Sequence, residues 1–141
     1  MSGTSGTSTV EDDNKRHVER FMEVFSAGDV DAILGSMTED ATWWVAGTMP
    51  GISGQVDREG FGKLLTGLAG LTKTGAISLT PKAWTCQGSR VAVETESYSE
   101  LLNGRVYNNQ YHFVFELRGD KISSIKEYLD TQHTAAVFLA P

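Results

Sequence analysis

Residues 90–117 read RVAVETESYSELLNGRVYNNQYHFVFEL, two runs of alternating side chains joined by a turn. Successive residues of a strand point to opposite faces. In the first run Val91, Val93, Thr95, Ser97, Ser99 and Leu101 therefore share one side, against Ala92, Glu94, Glu96, Tyr98 and Glu100. In the second, Tyr107, Asn109, Tyr111, Phe113, Phe115 and Leu117 oppose Val106, Asn108, Gln110, His112, Val114 and Glu116. Apolar content marks both odd-numbered faces as inward. A two-residue Asn103-Gly104 loop would set the glutamate face of one strand beside the aromatic face of the other. A three-residue loop, Leu102-Asn103-Gly104, with Gly104 in the left-handed region, pairs Leu101 with Arg105 and aligns the two odd faces. The spacing predicts the three-residue loop.

Outward from this hairpin, further β-type segments run near Ile77 to Cys86 and Lys121 to Asp130, so the second half is a meander of four segments, 77–86, 90–101, 105–117 and 121–130. Upstream the period changes. Val18, Phe21, Met22 and Phe25 recur at three- and four-residue steps, one stripe of an amphipathic helix that starts at Val10 and is closed by Gly28. Asp29 caps a second helix carrying Val30, Ile33, Leu34 and Met37. After Thr38-Glu39-Asp40, Thr42-Trp43-Trp44-Val45 reads as a short strand, followed by a loop from Gly47 to Gly54. Asp57 caps a third helix with Phe61, Leu64, Leu65 and Leu68 on one face, and Gly70 stops it. Ala135, Ala136, Val137 and Phe138 suggest a short terminal helix. Helices first and strands afterwards predict an α+β domain over 10–141, its helices on one face of a curved, largely antiparallel sheet. Residues 1–9, almost all Ser, Thr and Gly, read as a flexible leader.

The 141 residues suit one domain of the usual ~150. A net charge of -6 offers no footprint for a phosphate backbone, so nucleic acid is not an expected partner. The single cysteine, Cys86, can form neither an intrachain disulfide nor a thiolate cluster, which fits a reducing, cytoplasmic setting. No apolar run reaches the ~18 residues of a membrane span, and no membrane partner is expected. His17, His112 and His133 show no ligand spacing, and the Gly51-x-x-Gly54 loop lacks a strand–helix phosphate cradle. No metal and no cofactor are expected.

Two places carry chemistry. Toward the hairpin end, the inner face bears Ser97, Ser99, Asn109 and Tyr111. They fit a pocket wall that orients a mostly apolar ligand; the alternative is that they hydrogen-bond one another or buried water. The last strand carries Lys126-Glu127-Tyr128-Leu129-Asp130. With odd residues inward, Ile125 and Leu129 flank Glu127, and loss of hydration raises the pKa of such a carboxylate and suits it to proton transfer. With even residues inward, Tyr128 and Asp130 take its place. Trp43 and Trp44 point to opposite sides of their strand, so one can line the interior while the other faces outward. Glu94, Glu96 and Glu100, with Tyr98, Val106, His112 and Val114 among them, form an outer face that suits water or the partner of a homodimer.

The order of elements, with Gly-Arg-x-Tyr-Asn-Asn-x-Tyr-x-Phe-x-Phe (Gly104 to Phe115) and Lys-Ile-x-x-Ile-Lys-Glu-Tyr-Leu-Asp-Thr (Lys121 to Thr131), resembles the SnoaL-like branch of the nuclear transport factor 2-like superfamily. The resemblance spans Val10 to Phe138 and implies a cone-shaped α+β barrel around an apolar pocket. It also implies dimerisation through the outer sheet face. The superfamily includes ketosteroid isomerase, polyketide cyclases, scytalone dehydratase and limonene-epoxide hydrolase, alongside domains that only bind.

Ile-Lys-Glu-Tyr-Leu-Asp places Glu127 where limonene-epoxide hydrolase has its base aspartate, in a Trp-Arg-Asp-Tyr-Phe-Asp segment, which implies odd residues inward. Ser97 and Ser99 stand where that enzyme pairs an arginine with an aspartate. Its water-positioning tyrosine and asparagine fall on Trp43 and Val45, and the base of ketosteroid isomerase falls near Val45. Neither mechanism transfers whole. The expectation is a cofactor-independent acid/base enzyme of isomerase, cyclase, dehydratase or hydrolase type acting on a small apolar molecule such as a terpenoid, steroid or polyketide fragment. Glu127, or failing it Asp130, would be the catalytic group. Trp43, Val45, Ser97, Ser99, Asn109, Tyr111, Ile125 and Leu129 would line the substrate. The alternative is a non-catalytic binding domain of the same fold.

Overall fold

A computed structural model describes residues 9–141. Thr9 opens it as the cap of α1 (Val10–Ser26): its side chain accepts from Asp12 N–H while the Asp12 carboxylate accepts from Thr9 N–H. The leader expected over 1–9 otherwise lies outside the described residues. Val18, Phe21, Met22 and Phe25 form the buried stripe of α1. Gly28 follows with φ +74°, where an added Cβ would stand 2.8 Å from the carbonyl oxygen of Gly75. Asp29 caps α2 (Val30–Gly35) and Asp57 caps α3 (Arg58–Ala69), each accepting from the amide three residues on.

The strands are β1 (Met37–Val45), β2 (Gly54–Asp57), β3 (Ser78–Gln87), β4 (Arg90–Glu100), β5 (Val106–Tyr107), β6 (Gln110–Arg118) and β7 (Lys121–Leu129). They lie in the order β2-β1-β7-β6-β4-β3, with β5 continuing along β4. All pairs are antiparallel except β1 with β7, so the sheet is mixed and open. Helix α1 packs across β3 and β4, and α3 packs on β1. The core lies between these helices and the inner sheet face, where Val91, Val93, Phe113 and Phe115 are fully buried. The α+β architecture is as expected.

The hairpin forms as the face argument requires. Leu101 N–H donates to Arg105 O at 2.8 Å, Gly104 N–H donates to Leu101 O at 3.0 Å, and Gly104 has φ +89°. The same register continues from Ser99 opposite Tyr107 to Arg90 opposite Glu116.

Three expectations need correction. The second helix ends at Gly35, so Met37, expected on it, and Thr38-Glu39-Asp40, expected before the first strand, both belong to that strand, with Asp40 exposed and paired to Arg118. The end of the glycine- and proline-rich loop continues into β2, a strand too short to show a period, which pairs with β1 from Thr42 opposite Asp57 to Val45 opposite Gly54. The segment read as 105–117 is two strands. Side chains replace ladder bonds at the break: Asn109 N–H donates to Ser97 Oγ, Asn108 Nδ2 donates to Ser97 O, and Asn108 N–H donates to His133 Nε2. The tail forms α4 (Thr131–Thr134) and a π-helical turn, Ala135–Leu139.

Candidate functional site

Glu127 sits on β7 opposite Phe113 of β6 and Val45 of β1, on the face that also buries Ile125. From Ile125 to Leu129 the odd residues of β7 are therefore the inward ones, whereas before the register shift opposite Glu116 and Leu117 it is Ile122 that is buried. Tyr128 points outward and meets Trp44 edge to face, ring centres 5.2 Å apart. One side-chain hydrogen bond reaches the Glu127 carboxylate: Trp43 Nε1–H donates to Oε1 at 3.0 Å. Among the described residues Oε2 has no hydrogen-bond partner. Burial pushes the Glu127 pKa up from 4.5 to about 7, and the indole bond opposes that rise.

Trp43 is held from every side. Its ring lies flat against Phe61 of α3, with centres 3.6 Å apart and planes 5° apart. Phe21 and Phe25 of α1 and Phe113 of β6 close the remaining sides. Stacking and edge contacts of this kind add to the area term that already favours burying large rings. Glu127, Leu129 and Tyr111 are inward but only half-buried as whole residues.

Beside it stands a second polar group. The Tyr111 hydroxyl forms a short hydrogen bond with that of Tyr107, and Tyr107 also bonds Thr134 Oγ1 at 3.0 Å. Asn109 Nδ2 lies within donating distance of Tyr107 Oη, Thr134 Oγ1 and the Asp130 carbonyl oxygen. Burial holds Tyr111 well above its ordinary pKa, helped by the negative charge of Glu127, and burial raises Tyr107 too. Both phenols are donors at neutral pH.

The residues expected to line a site thus divide. Glu127, Trp43, Val45, Ile125 and Leu129 come together, with Tyr111 one register step along the same face. Ser97, Ser99 and Asn109 are inward and buried, but protein groups occupy them: Ser97 bonds the backbone of Asn109, and Ser99 Oγ donates to Ala76 O at 2.8 Å. For these three the hydrogen-bonding alternative describes the structure. Asp130 does not join Glu127; it is exposed, and its carboxylate accepts from His133 N–H as the cap of α4. Sequence reasoning passed over Phe61, Tyr107 and Thr134. Phe61 carried a signal in the apolar stripe of the third helix and Tyr107 in its inward parity; Thr134 carried none. Among the described residues no three His, Cys, Asp or Glu side chains are gathered as a metal would need, and no helix is long and apolar enough to cross a membrane.

A family model for the SnoaL-like domain matches residues 18–125. No curated protein sequence matches the chain. Among solved structures, PrhC from Penicillium brasilianum NBRC 6234 superposes with a TM-score of 0.82 over 92% of this chain and 87% of its own, at 12% identity. TerC, co-crystallised with polyporic acid, gives 0.78 over 91% and 99%, at 21% identity. BvnE pinacolase from Penicillium brevicompactum gives 0.80 over 91% and 93%, at 16% identity. Likeness at such identities is one of fold, and it fits a cone of curved sheet around helices.

Proposed function

The chain belongs to the SnoaL-like domain family, and from that membership and the surroundings of Glu127 we propose that it is a small acid/base enzyme moving a proton on an apolar organic molecule. One observation carries this reading: a carboxylate on the inner face, one oxygen held by Trp43 and the other unpartnered, titrating near 7. Such a group is populated as both base and acid at neutral pH. Nearby, Tyr111 offers a phenol that stays protonated.

In the reaction proposed, Glu127 Oε2 takes a proton from carbon next to a carbonyl. The C–H pair becomes the carbon–carbon double bond of an enolate as the carbonyl π pair moves onto oxygen, and Tyr111 O–H donates to the oxyanion that forms. The protonated Glu127 then returns the proton to another carbon or to a leaving oxygen, so nothing is consumed from outside. Apolar neighbours Val45, Ile125, Leu129 and Phe113 suit a terpenoid, steroid or polyketide fragment. The named relatives, one crystallised with polyporic acid and one a pinacolase, support an organic small molecule as ligand.

Glu127→Gln keeps the shape and removes the proton carrier; turnover is expected to fall while ligand affinity holds. Equal turnover in both forms would defeat the proposal. Limonene oxide should not be hydrolysed, because Ser97 and Ser99 are bound within the protein and supply neither a cation nor a second acid. The second reading, a non-catalytic binding domain, is favoured by those satisfied serines. Native mass spectrometry that recovers a bound molecule unchanged after long incubation would support it. The exposed Tyr98, Val106 and Tyr128 suit a homodimer through the outer face, to be checked by sedimentation at micromolar concentration.

A further inference from the structure

We propose that Trp43 is a positioning residue for Glu127: its indole N–H pins Oε1, so that Oε2 is the oxygen that takes and returns the proton. This rests on the reading of Glu127 given above. The geometry begins with the ring rather than the carboxylate. Trp43 is only 1% exposed and cannot turn without losing its flat contact with Phe61, at 3.6 Å, and its edge contact with Phe113, at 6.4 Å. Its N–H is aimed by that packing, and a buried donor left without an acceptor costs about 1–3 kcal/mol. The acceptor it reaches is Glu127 Oε1, 3.0 Å away. Rotation of the carboxylate would break this bond, so the two oxygens are not interchangeable. Three helical aromatic residues, Phe21, Phe25 and Phe61, thereby act at a distance on which oxygen is left without a partner.

No formal charge competes for the carboxylate. From β6 and β5 it is faced by Tyr111 and Tyr107, both held neutral by burial; β1 contributes Trp43 and Val45; and on β7 its neighbour Lys126 points out to solvent. The helices contribute phenyl rings. The indole bond is therefore what opposes the effect of burial on Glu127, and its removal should raise the titration midpoint further.

The first measurement needs no substrate. The chain has three tryptophans, so its indole region in a 1H–15N spectrum holds three resonances, assignable with Trp44→Phe and Trp84→Phe. The Trp43 indole proton should shift with a midpoint near pH 7 and stop titrating in Glu127→Gln. In Trp43→Phe, the Glu127 carboxyl carbon followed by 13C should titrate higher by roughly half to one pH unit. With a substrate in hand, the pH profile of kcat should move up by the same amount, with KM altered less. An indole proton that stays still while Glu127 titrates overturns the proposal, even if Trp43→Phe fails to fold. So does an unchanged Glu127 midpoint in a folded Trp43→Phe. The expected titrations together with undiminished turnover in Glu127→Gln would support the pin on Oε1 and defeat the proposed function instead.

Discussion

The inner face of the sheet holds two polar regions a few residues apart, and they are built on opposite terms. Around Asn109, every polar side chain is matched: Ser97 with the Asn109 backbone, Asn109 with Tyr107, Thr134 and Asp130 O, and Ser99 with Ala76 O. Around Glu127, a carboxylate that could accept several hydrogen bonds accepts one. The first region behaves as most buried polar groups do and stabilises the fold. The second carries an unmet electrostatic demand, held at a cost to stability, and the role proposed for Glu127 rests on that demand. Polarity on an inner face is thus a poor guide to a site. What separates the two regions is how far each group is satisfied.

The sharpest way to break this contrast is turnover. Glu127→Gln should lower kcat by roughly 10²-fold or more with little change in binding. Next is stability against pH. Because the Glu127 pKa is higher folded than unfolded, rising from 4.5 to about 7, its favourable contribution is complete below pH 4.5 and disappears as pH rises through 7. The loss is on the order of 3 kcal/mol, so in urea titrations at pH 8 the Glu127→Gln variant should be the more stable protein, with the difference fading toward pH 4.5. A wild type more stable than the variant at both pH values would place Glu127 among the satisfied groups. Asn109→Ala should act in the opposite sense, costing about 1–3 kcal/mol at any pH because it removes a buried donor shared by Tyr107, Thr134 and the Asp130 carbonyl. Smallest is Ser99→Ala, about 1 kcal/mol for one lost bond, read as a modest drop in melting temperature. A pH-dependent effect for either of the last two would dissolve the distinction.

What the chain discloses on its own follows the range of the interactions. The parity of β4 and β6 is legible because the face of Val91, Val93, Phe113 and Phe115 stands against one that carries Glu94, Glu96, Glu100 and Glu116, and the loop at Gly104 follows from parity alone. Caps at Asp29 and Asp57 are local chemistry and equally plain. The last strand is not legible this way: Glu127, Tyr128 and Asp130 all look suited to a site, and their parity emerged only from the resemblance. Asp130 opens a helix just as Asp29 and Asp57 do, but a helix of four residues leaves no periodic stripe to announce it. β2 is too short to alternate, and no local pattern says that β1 will run parallel to β7. Nor does any local pattern tell that Asn109 will meet Thr134 from the tail, rather than a ligand.

That parallel pairing has a consequence in time. β1 leaves the ribosome long before β7, and Trp43 meets Glu127 across 84 residues of chain. The hairpins from β3 to β7 close over short turns, whereas docking β1 closes a large loop, whose entropy must be lost before its contacts repay it. The carboxylate should therefore gain its indole partner late in folding, after the meander is in place. In stopped-flow refolding, the burial of Trp43, read in a chain with Trp44 and Trp84 replaced by phenylalanine, should lag behind the formation of sheet seen by far-ultraviolet circular dichroism. Until that moment β7 has an unpaired edge, and the nascent protein is most exposed to mispairing at the very strand that bears Glu127.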